Sequence, residues 1–262
     1  MSSDGRRLIG SRSTWGRMGI LVTLNHRTLY RYEKAIALGP QVIRLHPAPH
    51  SRVPVLSYSL DLTPPDHLLN WYMDPHSNRI ARVLFPQKTT EFLVEVTLMA
   101  DLSPINPFKF LLEPGVEEYP FSYEAGLAKD LEPYRSVDSP GPQLGAFLSE
   151  FEGERCGTIS FLLKLSRRVR DDIAYMPRLA PGLQTSEETL EKRSGSCRDS
   201  AWLLVECLRN LGIASRFVSG YLIQLAVGES GLPGNNDGPK ADSADLHAWA
   251  EAYLPGAGWI GS

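Results

Sequence analysis

Two hydrophobic periods divide the chain. From Gly19 to about Phe121, apolar and polar residues tend to alternate, the spacing of a half-buried strand. In EFLVEVTLMADL, Phe92, Val94, Val96 and Leu98 alternate with Glu91, Glu95 and Thr97, and VLSYSLDL repeats the pattern through Leu56, Tyr58, Leu60 and Leu62. MDPHSN at 73–78 supplies the Asp, Pro, Ser and Asn that turns favour, and predicts a hairpin connection. Pro47, Pro49, Pro54, Pro64 and Pro65 are expected at loops or edges, because proline cannot donate to a ladder. This half, residues 18–131, predicts an antiparallel β domain. EPYRSVDSPGPQL (132–144) is the linker candidate, and the second domain is expected over 143–262.

Beyond the linker the period becomes helical. TISFLLKLSRRVRDDI places Ile159, Leu162, Leu163, Val169 and Ile173 near one face, with Arg167, Arg168 and Arg170 mostly off it. Thr185 and Glu188 fit a capping box for the next helix, with Gly195 as its stop. In RSGSCRDSAWLLVECLRNLG, Ser196 is the expected N-cap and Asp199 its capping-box partner. Ala201, Leu204, Val205, Leu208 and Leu211 then form the apolar stripe, and Gly212 closes the helix. FVSGYLIQL (217–225) and DLHAWAEAYL (245–254) read as strands. In the second, Leu246, Ala248, Ala250, Ala252 and Leu254 face one way; Asp245, His247, Trp249, Glu251 and Tyr253 face the other. The alanine row predicts close approach by the helix at Cys197 or by a neighbouring strand. The loop between these strands is rich in Gly, Asn and Asp, and a loop of that length is either functional or disordered.

The candidate chemistry begins at Cys197, the expected first residue of its helix. Unpaired N–H groups and the positive end of the helix dipole favour an anion there, and helix N-termini can lower a thiol pKa from ~8.5 into the 3.5–7.5 range. Arg198 next door adds positive charge. The competing role is a small buried residue. Cys207 lies about 15 Å further along the helix axis and reads as core; Cys156, between helices, reads as structural. Of six histidines only His247 lies in the second half, which makes it the candidate base; His26, His46, His50, His67 and His76 read as surface or turn histidines. Trp249 and Tyr221 are candidates for a cleft wall, with core packing as the rival role. Asp199 reads as a cap, Arg198 as a salt-bridge partner and Glu251 as a structural ion-pair member.

Composition narrows the classes. The chain has 262 residues, 42% hydrophobic and 22% charged, values of a soluble globular protein with room for two domains. A net charge of −3 gives no electrostatic reason to expect nucleic acid or membrane as partner. Three cysteines fit neither a disulfide framework nor a zinc pattern, and no loop has EF-hand spacing, so no metal or cofactor is expected. Arg6 and Arg7 resemble a twin-arginine signal, but Arg12 and Arg17 interrupt any apolar segment, and no run approaches the ~18 apolar residues of a membrane span. Residues 1–17 read as a frayed or vector-derived extension, and a reducing, cytoplasmic location is expected.

GSCRDSAWLLVECLRNLGIASRFVSGYL followed by DLHAWAEAYLPGAGWIG resembles the core of the transglutaminase-like superfamily, in its bacterial branch. The first half, from ILVTLNHRTLYRYEKAIALGPQVIRLHPAPH onward, is similar to the β domain that precedes this core in many bacterial members. The resemblance covers about residues 18–261. It implies an α+β fold: a β domain, then a papain-like core of helices packed on an antiparallel sheet. It also implies a Cys-His-Asp triad in which Cys197 is the nucleophile and His247 the base. The triad aspartate would follow GWIG as in GW-x-x-x-DPT, and the sequence ends at Ser262 before it; Asp245, two residues from His247 and so ~6.6 Å along the strand, is a poor substitute. The implied activity is thioester-mediated acyl transfer or hydrolysis on a protein or peptide substrate. A cysteine peptidase or amidase and a non-catalytic protein-binding module are the alternatives.

Overall fold

The computed structural model describes the backbone of 7–10 and residues 20–103, 106, 109–178, 181–226 and 242–261. Contacts group the chain into two units, Met1–Ile105 with Tyr221–Asp245, and Asn106–Gly220 with Leu246–Ser262.

In the first unit, Thr89–Asp101 lies between Leu21–Ile36 and Val55–Thr63 in an antiparallel sheet. Arg7–Gly10 pairs antiparallel with the other side of Leu21–Ile36. That ladder corrects the expectation of a frayed extension for these four residues, since their backbone groups find partners on a strand; the rest of 1–17 lies outside the described residues. A second sheet holds Arg79–Leu84 between Gln41–Ile43 and Leu68–Met73. Its hairpin is the one expected at 73–78: Asp74 Oδ1 accepts the N–H groups of His76 and Asn78 at 2.9 Å each. Ile43, Ala81 and Val83 from this sheet share a core with Leu62, Phe92 and Val94 from the other.

The expected alternation is present at Phe92, Val94, Val96 and Leu98, all buried. In VLSYSLDL only Leu62 is buried and Leu56 is exposed, because this strand is the edge of its sheet. His26 is not a surface histidine. It shares a buried strand face with Val22 and Leu24, with Nε2 2.8 Å from Thr28 Oγ1 and its ring edge-on to Tyr221. Alternation puts it inside, and the Thr28 hydroxyl meets one ring nitrogen there.

The second unit is built around the helix Cys197–Asn210. Ala201, Leu203, Leu204, Val205, Cys207 and Leu208 are all buried, more than one stripe, so the helix is covered on several sides. Around it lie Pro142–Ser149, Thr158–Asp172 and Ser186–Lys192. Thr158–Asp172 turns Phe161, Leu162, Leu165 and Val169 inward, while Leu163, expected on that face, is exposed. Ser186–Lys192 has the Thr185–Glu188 capping box but not the expected stop: Arg193, at φ 49°, supplies the left-handed turn in place of Gly195. Within the proline-rich stretch 132–144, Glu132–Tyr134 forms a 3-10 turn and Pro142 opens a helix.

The helix at Cys197 ends as expected at Gly212 (φ 85°). Ile213 N–H reaches Leu208 O at 2.8 Å and Gly212 N–H reaches Arg209 O at 3.0 Å, the paired bonds of a Schellman motif. Ser215–Gln224, Ser243–Leu254 and Gly258–Gly261 then form a sheet, its last two strands antiparallel. Ala248, Ala250, Ala252 and Leu254 are buried, and the last three share a core with Leu203, Leu204, Val205 and Leu208. The alanine row therefore does admit the helix.

Candidate active site

Cys197 is the first residue of its helix, after Ser196 in an extended N-cap conformation (φ −78°, ψ 173°). The Ser196 N–H and hydroxyl both donate to Asp199 Oδ2, at 2.8 and 2.7 Å. The Ser196 carbonyl accepts from the N–H groups of Asp199 and Ser200. This cap fixes the first turn and leaves the Cys197 side chain half-buried. Cys207 differs in every respect: it is wholly enclosed, and burial pushes its thiol far up. Cys156 is half-buried in a short antiparallel bridge to Tyr119, rather than in a plain interhelical loop.

Asp199 is the hub of the helix mouth. Its side chain is fully buried, and it also accepts from Gln184 N–H at 2.8 Å and from Arg178 Nη2 at 2.7 Å. Burial alone would raise its pKa; the bonds from Gln184, Ser196 and Arg178 outweigh that and hold the carboxyl far below the usual range. Arg178 reaches this place through a short parallel bridge. Ala174 and Tyr175 run beside Ser194 and Gly195, and Met176 N–H bonds Gly195 O at 2.9 Å. Gly195 is required here for close approach: a Cβ on it would lie 2.9 Å from Asp199 Cβ. Arg198, expected in a salt bridge, donates Nη2 to the Arg178 carbonyl at 2.9 Å. Neither Arg178 nor Gln184 was marked by the sequence, because both arrive from an irregular segment without period or spacing.

His247 sits half-buried in Ser243–Leu254, on the alternate set of positions from the alanines. Trp249, Glu251 and Tyr253 follow on that set. Arg216 grips Glu251 Oε2 through Nε and Nη2 at 2.9 and 2.7 Å, and Trp249 Nε1 donates to Glu251 Oε1 at 3.3 Å. Glu251 is thus the structural ion-pair member the sequence suggested. The guanidinium of Arg216 also lies 4.2 Å from the centre of the Trp259 ring. Trp249 packs on Gly220, where an added Cβ would be 2.6 Å from its ring. Tyr221 packs among Leu24, Leu98 and Ala244 in the first unit. Asp245 is exposed, and most of the loop before it, 227–241, lies outside the described residues.

Cys197 and His247 belong to the same unit; among the described residues their side chains are not hydrogen-bonded to each other. Each stands half-buried, so each is partly reachable from solvent.

Residues 22–101 match the family described as bacterial transglutaminase-like N-terminal region, and residues 150–261 match the transglutaminase-like superfamily. The chain is 24% identical over 236 residues to an uncharacterized protein of Mycobacterium tuberculosis, covering 88% of this chain and 73% of that one. An uncharacterized protein of Mycobacterium bovis gives the same 24% identity and coverage. Among solved structures, a candidate cysteine protease from Cytophaga hutchinsonii superposes with a TM-score of 0.59 at 19% identity, covering 97% of this chain and 78% of that one. At that identity the likeness speaks to fold. The β unit, the helical core with its capped Cys197 and the two matches agree: the chain is a member of the transglutaminase-like superfamily, carrying a bacterial transglutaminase-like N-terminal region ahead of an α+β, papain-like core.

Proposed function

We propose that the protein is a thiol-dependent enzyme of acyl transfer or hydrolysis, with Cys197 as nucleophile, His247 as base, and a carboxamide or peptide carbonyl as substrate. The observation that carries this reading is a half-buried thiol on the first residue of a firmly capped helix, within a transglutaminase-like core. The helix mouth favours the thiolate, and the thiolate is the nucleophile. It attacks the carbonyl carbon; the C–N bond breaks as the imidazolium of His247 protonates the departing amine or ammonia, leaving a thioester. An amine or water, deprotonated by the neutral imidazole, then takes the acyl group and frees the sulfur. Backbone N–H groups at the helix start are the donors available to the oxyanion.

Iodoacetamide alkylation of Cys197 across pH, followed by peptide mapping, tests the reading. Alkylation of Cys197 ahead of the equally half-buried Cys156 is expected. Amine incorporation or amide hydrolysis that disappears in Cys197→Ala would complete the case. Ordinary thiol behaviour with no turnover would instead mark a protein-binding module.

A further inference from the structure

A strand at the border of a sheet leaves its outward backbone N–H and C=O groups without a ladder, and proteins blunt such borders with charge, proline, bulges or shortness. Among the described residues, three of the four borders in the first unit carry one of these devices. Gln41–Ile43 has only three residues and follows Pro40, and Arg7–Gly10 has four and opens on a cation. Val55–Thr63 carries Asp61 and a register shift between Val55 and Ser57. Leu68–Met73 carries none. Its six residues, LLNWYM, hold no charge and no proline, and they pair with Arg79–Leu84 without a break in register. Leu68 is 67% exposed and Met73 58%, with Leu69 and Tyr72 each at 39%.

We propose that this border is a self-association surface: two copies of the chain join Leu68–Met73 to its own counterpart, antiparallel about a two-fold axis at Trp71. The ladder fixes which backbone groups are available. Asp74 N–H donates to Asn78 O at 3.0 Å, closing the hairpin, and hydrogen-bonded pairs alternate along an antiparallel ladder. Leu68, Asn70 and Tyr72 therefore direct their backbone groups to Arg79–Leu84, while Leu69, Trp71 and Met73 turn theirs outward. Self-pairing about Trp71 engages all three outward residues; pairing about Asn70 or Tyr72 engages two. In the Trp71 register Leu69 lies across from Met73 of the second copy, on the same face as Trp71 against Trp71, and Asn70 lies across from Tyr72 on the other face. The exposed Leu69 and Met73 thereby cover each other. No charge sits in the seam. Arg79 and Arg82 stand one strand back in each copy, so their backbones are at least ~14 Å from their counterparts, three strand spacings. The Asp74 carboxylate, across from Leu68, is taken up by the N–H groups of His76 and Asn78. A neutral border that matches itself fits a second copy, and the two-fold closes the pair because each border is used once.

Sedimentation velocity and light scattering over roughly 1–300 μM test the proposal, a range suited to the small area of a single strand pair. The parent chain should move towards twice the chain mass as concentration rises. Leu69→Lys with Met73→Lys sets like charges across the seam and should weaken dimerisation about tenfold or more. Leu69→Lys with Met73→Glu sets opposite charges at the same places and should restore it close to the parent, with salt now weakening it. Both positions are exposed, so melting temperatures should stay near the parent value. If the double variant does not fold, Met73→Lys alone, at the more exposed of the two positions, should weaken the dimer in the same direction. A parent that stays monomeric throughout overturns the inference, as does growth into open polymers. So does a dimer unmoved by the first variant or not restored by the second, because another surface or another register then holds it.

Discussion

Arg216 clasps Glu251 across the core sheet, with two guanidinium nitrogens on one carboxylate oxygen and each side chain only 14% exposed. The other oxygen of Glu251 holds the Trp249 indole, and Trp259 lies under the guanidinium. One ion pair thus fixes the part of the strand that follows His247. Removing one charge from so enclosed a pair strands the other. Glu251→Gln should therefore cost about 2–3 kcal/mol, somewhat below the range for fully buried pairs because a little solvent remains. Replacing both partners by apolar residues should cost less than that, and urea melts of the three proteins check the order.

Gly220 and Trp249 are in contact so close that no side chain fits between them. A methyl at Gly220 would fall 2.6 Å from Cη2 and 3.1 Å from Cζ3 of the indole. Gly220→Ala should destabilise by about 1–3 kcal/mol through overpacking. Trp249→Phe in the same chain should recover part of the loss, because the smaller ring withdraws from the methyl. Simple additivity in this double-mutant cycle would show that the two do not interact.

Asp199 predicts an acid dependence of stability. Its carboxyl titrates below its unfolded value of 3.8, so it stabilises the fold at neutral pH. That contribution begins to fade as pH drops towards the unfolded value and is lost as pH falls through the folded one. The gap in stability between the parent protein and Asp199→Asn should accordingly be widest near pH 7 and narrow steadily below about pH 4. Denaturant melts at pH 7, 5, 4 and 3 measure it; a gap independent of pH would contradict the assignment.

The three cysteines should react in a fixed order. Cys197 is expected first, Cys156 later, and Cys207 only on unfolding, since it is wholly enclosed and burial opposes its thiolate. Mass mapping after timed alkylation gives the order directly. Cys207→Ser should cost about 1–3 kcal/mol, because it exchanges a weakly polar group for a buried hydroxyl that needs a partner. Labelling of Cys207 in the native state at a rate near that of Cys156 would refute the packing.

Elements whose evidence is local can be read from residue order alone. The cap at Ser196 and Asp199, the close at Gly212 and the turn at Asp74 involve residues within a few positions of one another, so residue type and spacing suffice. The alternation read over 245–254 was equally plain, because a strand repeats every two residues, and it holds from His247 onward, whereas Leu246, read with the alanines, is exposed. Motif likeness then pointed to Cys197 and His247 and to the family. The rest depends on contacts made only once the chain has folded. Nothing in the spacing of Arg178 or Gln184 said that they would meet Asp199. Gly195 reads as a helix stop until Asp199 is seen pressed against it, and Gly220 has no visible purpose until Trp249 covers it. His26 passed for a surface residue until its strand face was closed. Each of these depends on which distant segment arrives, and a contact between distant segments leaves no period in the chain.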